Sequence, residues 1–303
     1  MDVRVEHRER LDGREAAAVL ALVEAATEAD GVRPLDEHVV LHLRHGGDER
    51  ATDVLLYADG DLAGYAHVDP GDPGDPGEGP SGELVVHPAF RRRGHGRRLL
   101  QAVLERAGDG LRLWAHGGHP GAGALARAEG LEKVRELWQM RRPLSAPLPG
   151  FTLPEGVRLR TFDPAADAEA WVALNARAFA HHPEQGAWTL EDLRRREREP
   201  WFDPAGFFLA VRGERPVGFH WTKVHGAGEQ GDEPIGEVYV VGVDPGEQGA
   251  GLGRSLTLAG LAHLRSLGLS EVMLYVDESN TGAVRLYQGL GFTRFDTDVM
   301  YRR

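Results

Sequence analysis

Two stretches of this chain carry the same spacing of glycines, and that spacing suits the binding of a phosphate. The first reads Val85-Val86-His87-Pro88-Ala89-Phe90-Arg91-Arg92-Arg93-Gly94-His95-Gly96. The second reads Gly242-Val243-Asp244-Pro245-Gly246-Glu247-Gln248-Gly249-Ala250-Gly251-Leu252-Gly253. Pro88 and Pro245 stand 157 positions apart, as do Gly96 and Gly253, so the copies align without a gap. Each follows an apolar run of strand character and leads into one of helix character. Such a turn presents backbone N–H groups at a helix N-terminus, where the helix dipole favours an anion. Neither copy contains Gly-Lys-Ser/Thr, which argues against a P-loop kinase or ATPase. A dinucleotide fold would place its glycines straight after the first strand, and here they come late in each half.

The elements that must position these turns also repeat. The first half predicts a strand near Val3 to Val5, a helix over Arg14 to Ala29, and strands at Val54 to Tyr57 and Leu62 to Val68. A run of Asp, Pro and Gly from Asp69 to Gly79 then reads as a hairpin loop, and strand Leu84 to Val86 feeds the first turn. The second half predicts a strand at Val157 to Arg160, helices over Ala168 to Ala180 and Leu190 to Arg198, and strands at Phe207 to Val211, Val217 to Val224 and Ile235 to Val243. Beyond its turn, Leu252, Leu256, Ala259 and Leu267 share one helical face; a strand at Val272 to Val276, a helix at Thr281 to Gln288 and a strand at Phe292 to Tyr301 follow. The proline-rich run Arg141 to Gly150 reads as a linker. The division is residues 1–143, a linker over 144–155, and residues 156–303.

The 303 residues suit two domains, each able to bury a core. There is no apolar run long enough to span a membrane and no leader pattern, so a cytoplasmic location is expected. A net charge of −12 speaks against nucleic acid and fits a cationic or amine substrate. Cysteine is absent, which excludes disulfides, thiolate metal sites and a cysteine nucleophile. His181-His182 lacks partners at metal spacing, so no metal is expected; His263 reads as a packed core histidine. Lys133 and Lys223 are the only lysines in an arginine-rich chain, which draws attention to both.

The pattern Arg/Gln-x-x-Gly-x-Gly after a strand ending in x-Pro resembles the acetyl-CoA turn of the GNAT superfamily of N-acetyltransferases. Antiparallel strands followed by a strand–helix–strand around the turn are likewise that family's order. The resemblance implies an α/β fold with a mixed sheet, as two tandem GNAT domains. It also implies that the fourth and fifth strands of each domain splay apart around the pantetheine arm while the turn holds the pyrophosphate. The implied cofactor-binding residues are Leu84, Val85 and Val86 with Arg92, Arg93, Gly94, His95, Gly96 and Arg97 in the first half. In the second half they are Val241, Gly242 and Val243, then Gln248, Gly249, Ala250, Gly251, Leu252, Gly253 and Arg254, with Asn280, Thr281, Gly282, Ala283, Val284 and Arg285.

Acetyl transfer to an amine requires the ammonium to lose a proton and is helped if the departing thiolate gains one. Glu237 lies six residues before Val243 and so is expected on the same strand face, within reach of the cleft directly or through water. Tyr287, in Arg285-Leu286-Tyr287-Gln288-Gly289, resembles the GNAT tyrosine that meets the CoA sulfur. These two are the expected catalytic residues. The 157-residue offset sets Glu237 opposite Pro80, and matching glycines sets Tyr287 opposite Ala126. The second half is therefore expected to be the catalyst. The first is expected to bind acetyl-CoA or nothing.

The segments His181-His182-Pro183-Glu184-Gln185-Gly186, Phe219-His220-Trp221-Thr222-Lys223, Gly236 to Val243 and Leu274-Tyr275-Val276 are similar to those of the mycothiol synthase family. The similarity is strongest from about Gly156 onward. That family acetylates the cysteinyl amine of a cysteinyl-glucosaminyl-inositol. The acceptor residues it implies here are Asp36, Glu184, Lys223, Glu237 and Tyr275. Asp36 is also placed to cap a helix. A tandem GNAT acting on an aminoglycoside or a protein N-terminus, or a non-catalytic acyl-CoA sensor, would share the turns. The expected partner is a small thiol-sugar amine, with no nucleic acid or membrane and a monomeric chain.

Overall fold

In the computed structural model the residues described are 2–46, 50–70, 79–108, 110–180, 183–228, 230–231 and 233–303, the side chains of Pro183 and Glu184 excepted. Strand β1 (Val3–Arg8) leads to α1 (Gly13–Asp30), whose start is fixed by a capping box. Asp12 accepts from the N–H groups of Arg14 and Glu15, and the Glu15 carboxylate accepts from Asp12 N–H. Helix α2 (Glu37–His45) follows, then β2 (Thr52–Ala58), β3 (Asp61–Asp69) and β4 (Ser81–Val86). The first glycine turn opens α3 (His95–Ala107), after which come β5 (Arg112–Ala115), α4 (Pro120–Ala128) and β6 (Glu132–Pro143).

The second half repeats the order with β7 (Val157–Thr161), α5 (Ala168–Ala178), the short α6 (Pro183–Gly186) and α7 (Leu190–Glu197). It continues through β8 (Phe207–Arg212), β9 (Arg215–His225), β10 (Ile235–Val243) and α8 (Leu252–Ser266). The chain closes with β11 (Glu271–Asp277), α9 (Thr281–Gly289) and β12 (Thr293–Arg302).

Two compact units result. One comprises Met1–Trp138 with Asp277–Ser279 and Asp296–Arg303; the other comprises Gln139–Val276 with Asn280–Phe295. In the first, β1 to β4 pair antiparallel in sequence order, β4 pairs parallel with β5, and β5 pairs antiparallel with the end of β12. One core lies between the sheet and α3, around Leu56, Leu99 and Val103. Another lies between the sheet and α1 and α2, around Val19, Val39, Leu55 and Tyr65. In the second unit β7 to β10 pair antiparallel, β10 pairs parallel with β11, and the end of β6 lies beside β11. Trp171 of α5 centres one core with Phe207, Phe219 and Trp221, while Leu252 and Leu256 of α8 build the opposite one.

Two expectations need correction and a third is extended. Arg141 to Pro143 are not linker but the end of β6, where apolar periodicity is hidden by arginines whose side chains reach Glu271 and the Ala146 and Pro147 carbonyls. Leu267 is 51% exposed, because α8 ends at Ser266 and the residue falls off its apolar face. Helix α2 follows Asp36, which the sequence reading placed only as a candidate cap. Most of the Asp69 to Gly79 run, and His181-His182, lie outside the described residues. Among the described residues no helix is long and apolar enough to cross a membrane.

Candidate active site

The two glycine turns match residue by residue in conformation. Gly94 and Gly251 are the N-caps of α3 and α8, with φ of +83° and +79°, and neither helix start has a side-chain cap. The N–H groups that a Ser or Asp cap would bind therefore remain available to a ligand. Gly249 has φ +85°, and its counterpart Arg92 adopts φ +62°, a region that non-glycine residues seldom enter. Gln248 donates to the Val243 carbonyl at 3.4 Å, and Arg91 donates to that of Val86 at 3.0 Å. Arg91 is further tied by two bonds of 2.6 and 2.7 Å to Asp30.

Upstream of each turn the parallel strands part. Pairing of β10 with β11 runs through Gly236↔Val272 and Glu237↔Met273, and that of β4 with β5 ends at Glu83↔Trp114. Past these pairs the edges at Val241 to Val243 and Leu84 to Val86 have no strand partner on that side among the described residues. An extended ligand arm can bond to such an edge as an added strand would. Below this gap, Asn280 caps α9 by accepting from Ala283 N–H at 3.1 Å.

The structure corrects the placement of Glu237. A β-bulge interrupts the β9–β10 register between Val238 and Val240. Val243 packs on Leu252 and Leu256 of α8, and an added Cβ on Gly236 would come within 3.0 Å of Leu264 of the same helix. Tyr239 and Val240 both turn to the Trp171 core. The extra residue thus breaks the two-residue alternation and puts Glu237 on the face away from Val243. That face also carries Lys223, the β9 residue paired with Glu237.

Glu237 and Lys223 are 6% and 5% exposed. Glu237 Oε2 lies 2.6 Å from His225 Nε2, and Oε1 makes no hydrogen bond among the described residues. The Lys223 ammonium sits 4.5 Å from the Trp201 ring centroid and 5.2 Å from that of Tyr239. Aromatic faces offset part of the cost of removing that charge from water. Tyr275, two residues beyond Met273 on β11, shares the face of Glu237, and its hydroxyl accepts from Gln139 Nε2 at 2.9 Å. Lys223, Glu237 and Tyr275 are therefore gathered on one face of three adjacent strands. His225 escaped the sequence reading, although its alternation with Lys223 and Trp221 placed it there. The Glu184 side chain lies outside the described residues. Asp36 belongs to the first unit, where its carboxylate accepts from Val39 N–H at 2.9 Å and caps α2.

Tyr287 sits on α9 with its ring edge-on to Phe292 at 5.8 Å. Burial pushes its phenol up to about 12, so it stays protonated at neutral pH and holds a proton it can give.

The first unit does contain a buried carboxylate where its strands part. It is not the counterpart of Glu237: β4 lacks the one-residue bulge of β10, which moves the position opposite Glu237 from Pro80 to Ser81, whereas Glu83 stands three residues before Val86 and opposite Val240. Both Glu83 oxygens are engaged: Oε2 accepts from Asp36 N–H at 2.7 Å and Oε1 lies 2.8 Å from His116 Nε2. His116 Nδ1 lies 2.9 Å from Asp298 Oδ2. Burial raises the Glu83 pKa, and it opposes the His116 charge, but Glu83 and Asp298 on the two ring nitrogens hold His116 well above its ordinary value.

The sequence matches the Acetyltransferase (GNAT) family twice, over residues 19–129 and 169–292. It is 68% identical to a mycothiol acetyltransferase of Streptosporangium roseum and 66% identical to one of Thermobispora bispora, with 100% of each chain covered in both cases. Among solved structures, a GCN5-related N-acetyltransferase from Sphaerobacter thermophilus is similar at a TM-score of 0.67 and 29% identity, covering 99% of this chain and 95% of that one. A tandem GNAT protein from the clavulanic acid biosynthesis pathway reaches a TM-score of 0.70 at 20% identity, covering 100% and 98%, which speaks to fold alone. With the family matched in both halves and such relatives matched from end to end, the chain belongs to the mycothiol acetyltransferases of the GNAT family and is an acetyl-CoA-dependent N-acetyltransferase.

Proposed function

We propose that the second half, residues 156–303, moves acetyl from acetyl-CoA to the cysteinyl amine of 1D-myo-inositol 2-(L-cysteinylamino)-2-deoxy-glucopyranoside, giving mycothiol. The observation that carries this reading is the buried Glu237–His225 pair beside Lys223, set where β10 and β11 part. A His225 N–H donated to Oε2 holds Glu237 in one orientation and leaves Oε1 for the acceptor ammonium. The carboxylate takes the ammonium proton, the amine attacks the thioester carbonyl, and the C–S bond breaks to release the CoA thiolate. Tyr287 gives that sulfur a proton, and the second proton that the nitrogen sheds on becoming an amide restores the phenol through solvent. Lys223 and Tyr275 contact the acceptor's hydroxyl and carbonyl oxygens, with Glu184 and Asp36 as further acceptor contacts. The turn from Gln248 to Arg254 takes the pyrophosphate, and Asn280 to Arg285 border the cofactor arm.

Residues 1–143 supply the second GNAT module, which binds acetyl-CoA or nothing and assists structurally, joined through residues 144–155. The committed oxygens of Glu83 support this assignment. The reaction as proposed uses no metal, and the chain works as a cytoplasmic monomer on a small molecule rather than on nucleic acid or a membrane.

The deciding experiment is acetyl-CoA turnover on the cysteinyl-glucosaminyl-inositol, simple aminoglycosides and N-terminal peptides. A kcat/KM at least about 100-fold higher for the first is expected, because buried charged groups left unmatched discriminate strongly. Comparable values across the panel would overturn the acceptor assignment. Tyr287→Phe should lower kcat roughly tenfold without abolishing turnover, since a thiol of pKa about 8.5 leaves tolerably unaided. Unchanged kcat and unchanged acetyl-CoA affinity would reduce Tyr287 to a packing residue.

A further inference from the structure

The first unit holds a cluster of metal-ligand side chains that the acetyl-transfer chemistry does not use. His38 and His42 lie four residues apart on α2 and so share a helix face. Tyr65, His67 and Asp69 alternate along β3, with Asp53 on the neighbouring β2. His67 is 0% exposed. Its Nδ1 lies 2.9 Å from Asp53 Oδ1, which also accepts from the Tyr65 hydroxyl at 2.5 Å. When Nδ1 carries the only ring proton and donates it to Asp53, Nε2 keeps a lone pair, and that buried nitrogen makes no hydrogen bond among the described residues.

The unpartnered nitrogen points at two further ligand groups. His67 Nε2 and Asp69 Oδ1 are 3.4 Å apart, as are His38 Nε2 and Asp69 Oδ2. One ligand atom from each of His38, His67 and Asp69 lies within 4.8 Å of the others. Ligands about 2.05 Å from a tetrahedral zinc stand roughly 3.3 Å from one another; each histidine stands near that distance from one Asp69 oxygen, and the three-atom set, within 4.8 Å, closes to it by a small side-chain movement. A carboxylate on the far nitrogen of a ligating histidine fixes its tautomer and strengthens it as a donor, and Asp53 occupies that position.

We propose that His38, His67 and Asp69 form a binding site for a zinc-type divalent cation that fastens α2 to β3 in the first unit. Asp53 acts as the outer carboxylate that orients His67, and a water completes the tetrahedron. Binding forms two N–metal bonds and one O–metal bond, and any proton on His38 or His67 Nε2 is released to solvent. The competing arrangement of the same atoms is a metal-free imidazolium of His67 held between Asp53 and Asp69.

The test uses the tag-free full chain, stripped with chelator and titrated with zinc against a chromophoric competitor, with cobalt as a spectroscopic substitute. The expected results are one equivalent bound, visible absorption of tetrahedral cobalt, and a melting temperature higher by about 5 °C at a hundredfold excess over Kd. His38→Ala and Asp69→Asn should each weaken binding at least tenfold. The His38 side chain is 48% exposed, so its replacement keeps the fold and separates lost ligation from unfolding. Absence of stoichiometric zinc, or binding that neither variant weakens, would overturn the site and leave the imidazolium arrangement.

Discussion

Glu237→Gln is expected to lower kcat by roughly 10²- to 10⁴-fold at neutral pH while acetyl-CoA binding stays near normal. The amide keeps the size of the side chain and a hydrogen bond to His225, so the packing of this 6% exposed position is preserved and the proton acceptor alone is lost. The deficit should shrink as pH rises, because deprotonated acceptor amine then arrives without needing a base. A stopped assay across pH with saturating acetyl-CoA reads both features. Wild-type kcat at neutral pH would remove Glu237 from the proton transfer. A deficit equal at every pH would assign it to acceptor binding instead.

Much of this site was legible because its signals are local. The glycine turns announce themselves since Gly94, Gly249 and Gly251 occupy left-handed backbone that side chains avoid, and the offset alignment even places Arg92 in that conformation. Strands β2, β3 and β7 to β11 follow from apolar runs between turn residues. The facing of Glu237 was not legible, because a single inserted residue in a bulge inverts alternation without changing composition. Nor was the Glu83–His116–Asp298 cluster, in which His116 and Asp298 are 182 residues apart and meet only because β12 pairs with β5. Helix α2 hid its apolar face among histidines, and those same histidines assemble with His67. Asp36 was legible in part: its place before Glu37 marks a helix cap, and it caps α2, while the bond from its own N–H to Glu83 joins residues 47 positions apart and leaves no local signal.

Gly251→Val should abolish turnover, and Gly94→Val should leave it running. The two positions form a matched pair. Both are helix N-caps in the left-handed region, and a Cβ built at either meets no atom within 4 Å. A valine costs each about the same backbone strain, on the order of 1–2 kcal/mol, so a stability difference cannot masquerade as a functional one. The open space beside each glycine is where the pyrophosphate would lie against the helix N-terminus, and a branched side chain there blocks the approach of phosphate to the backbone N–H groups. In the second unit that approach serves the edge running toward Glu237, whose Oε1 makes no hydrogen bond among the described residues. In the first it leads to Glu83, whose two oxygens are already bonded to Asp36 N–H and His116. Calorimetric acetyl-CoA titration and steady-state kinetics on both folded variants read the outcome. Loss of acetyl-CoA binding and turnover in Gly251→Val alone is the expected result, with at most one site of lower affinity removed by Gly94→Val. Equal loss of turnover in both would show that a cofactor held by the first unit is required, and would end the assignment of catalysis to the second half alone.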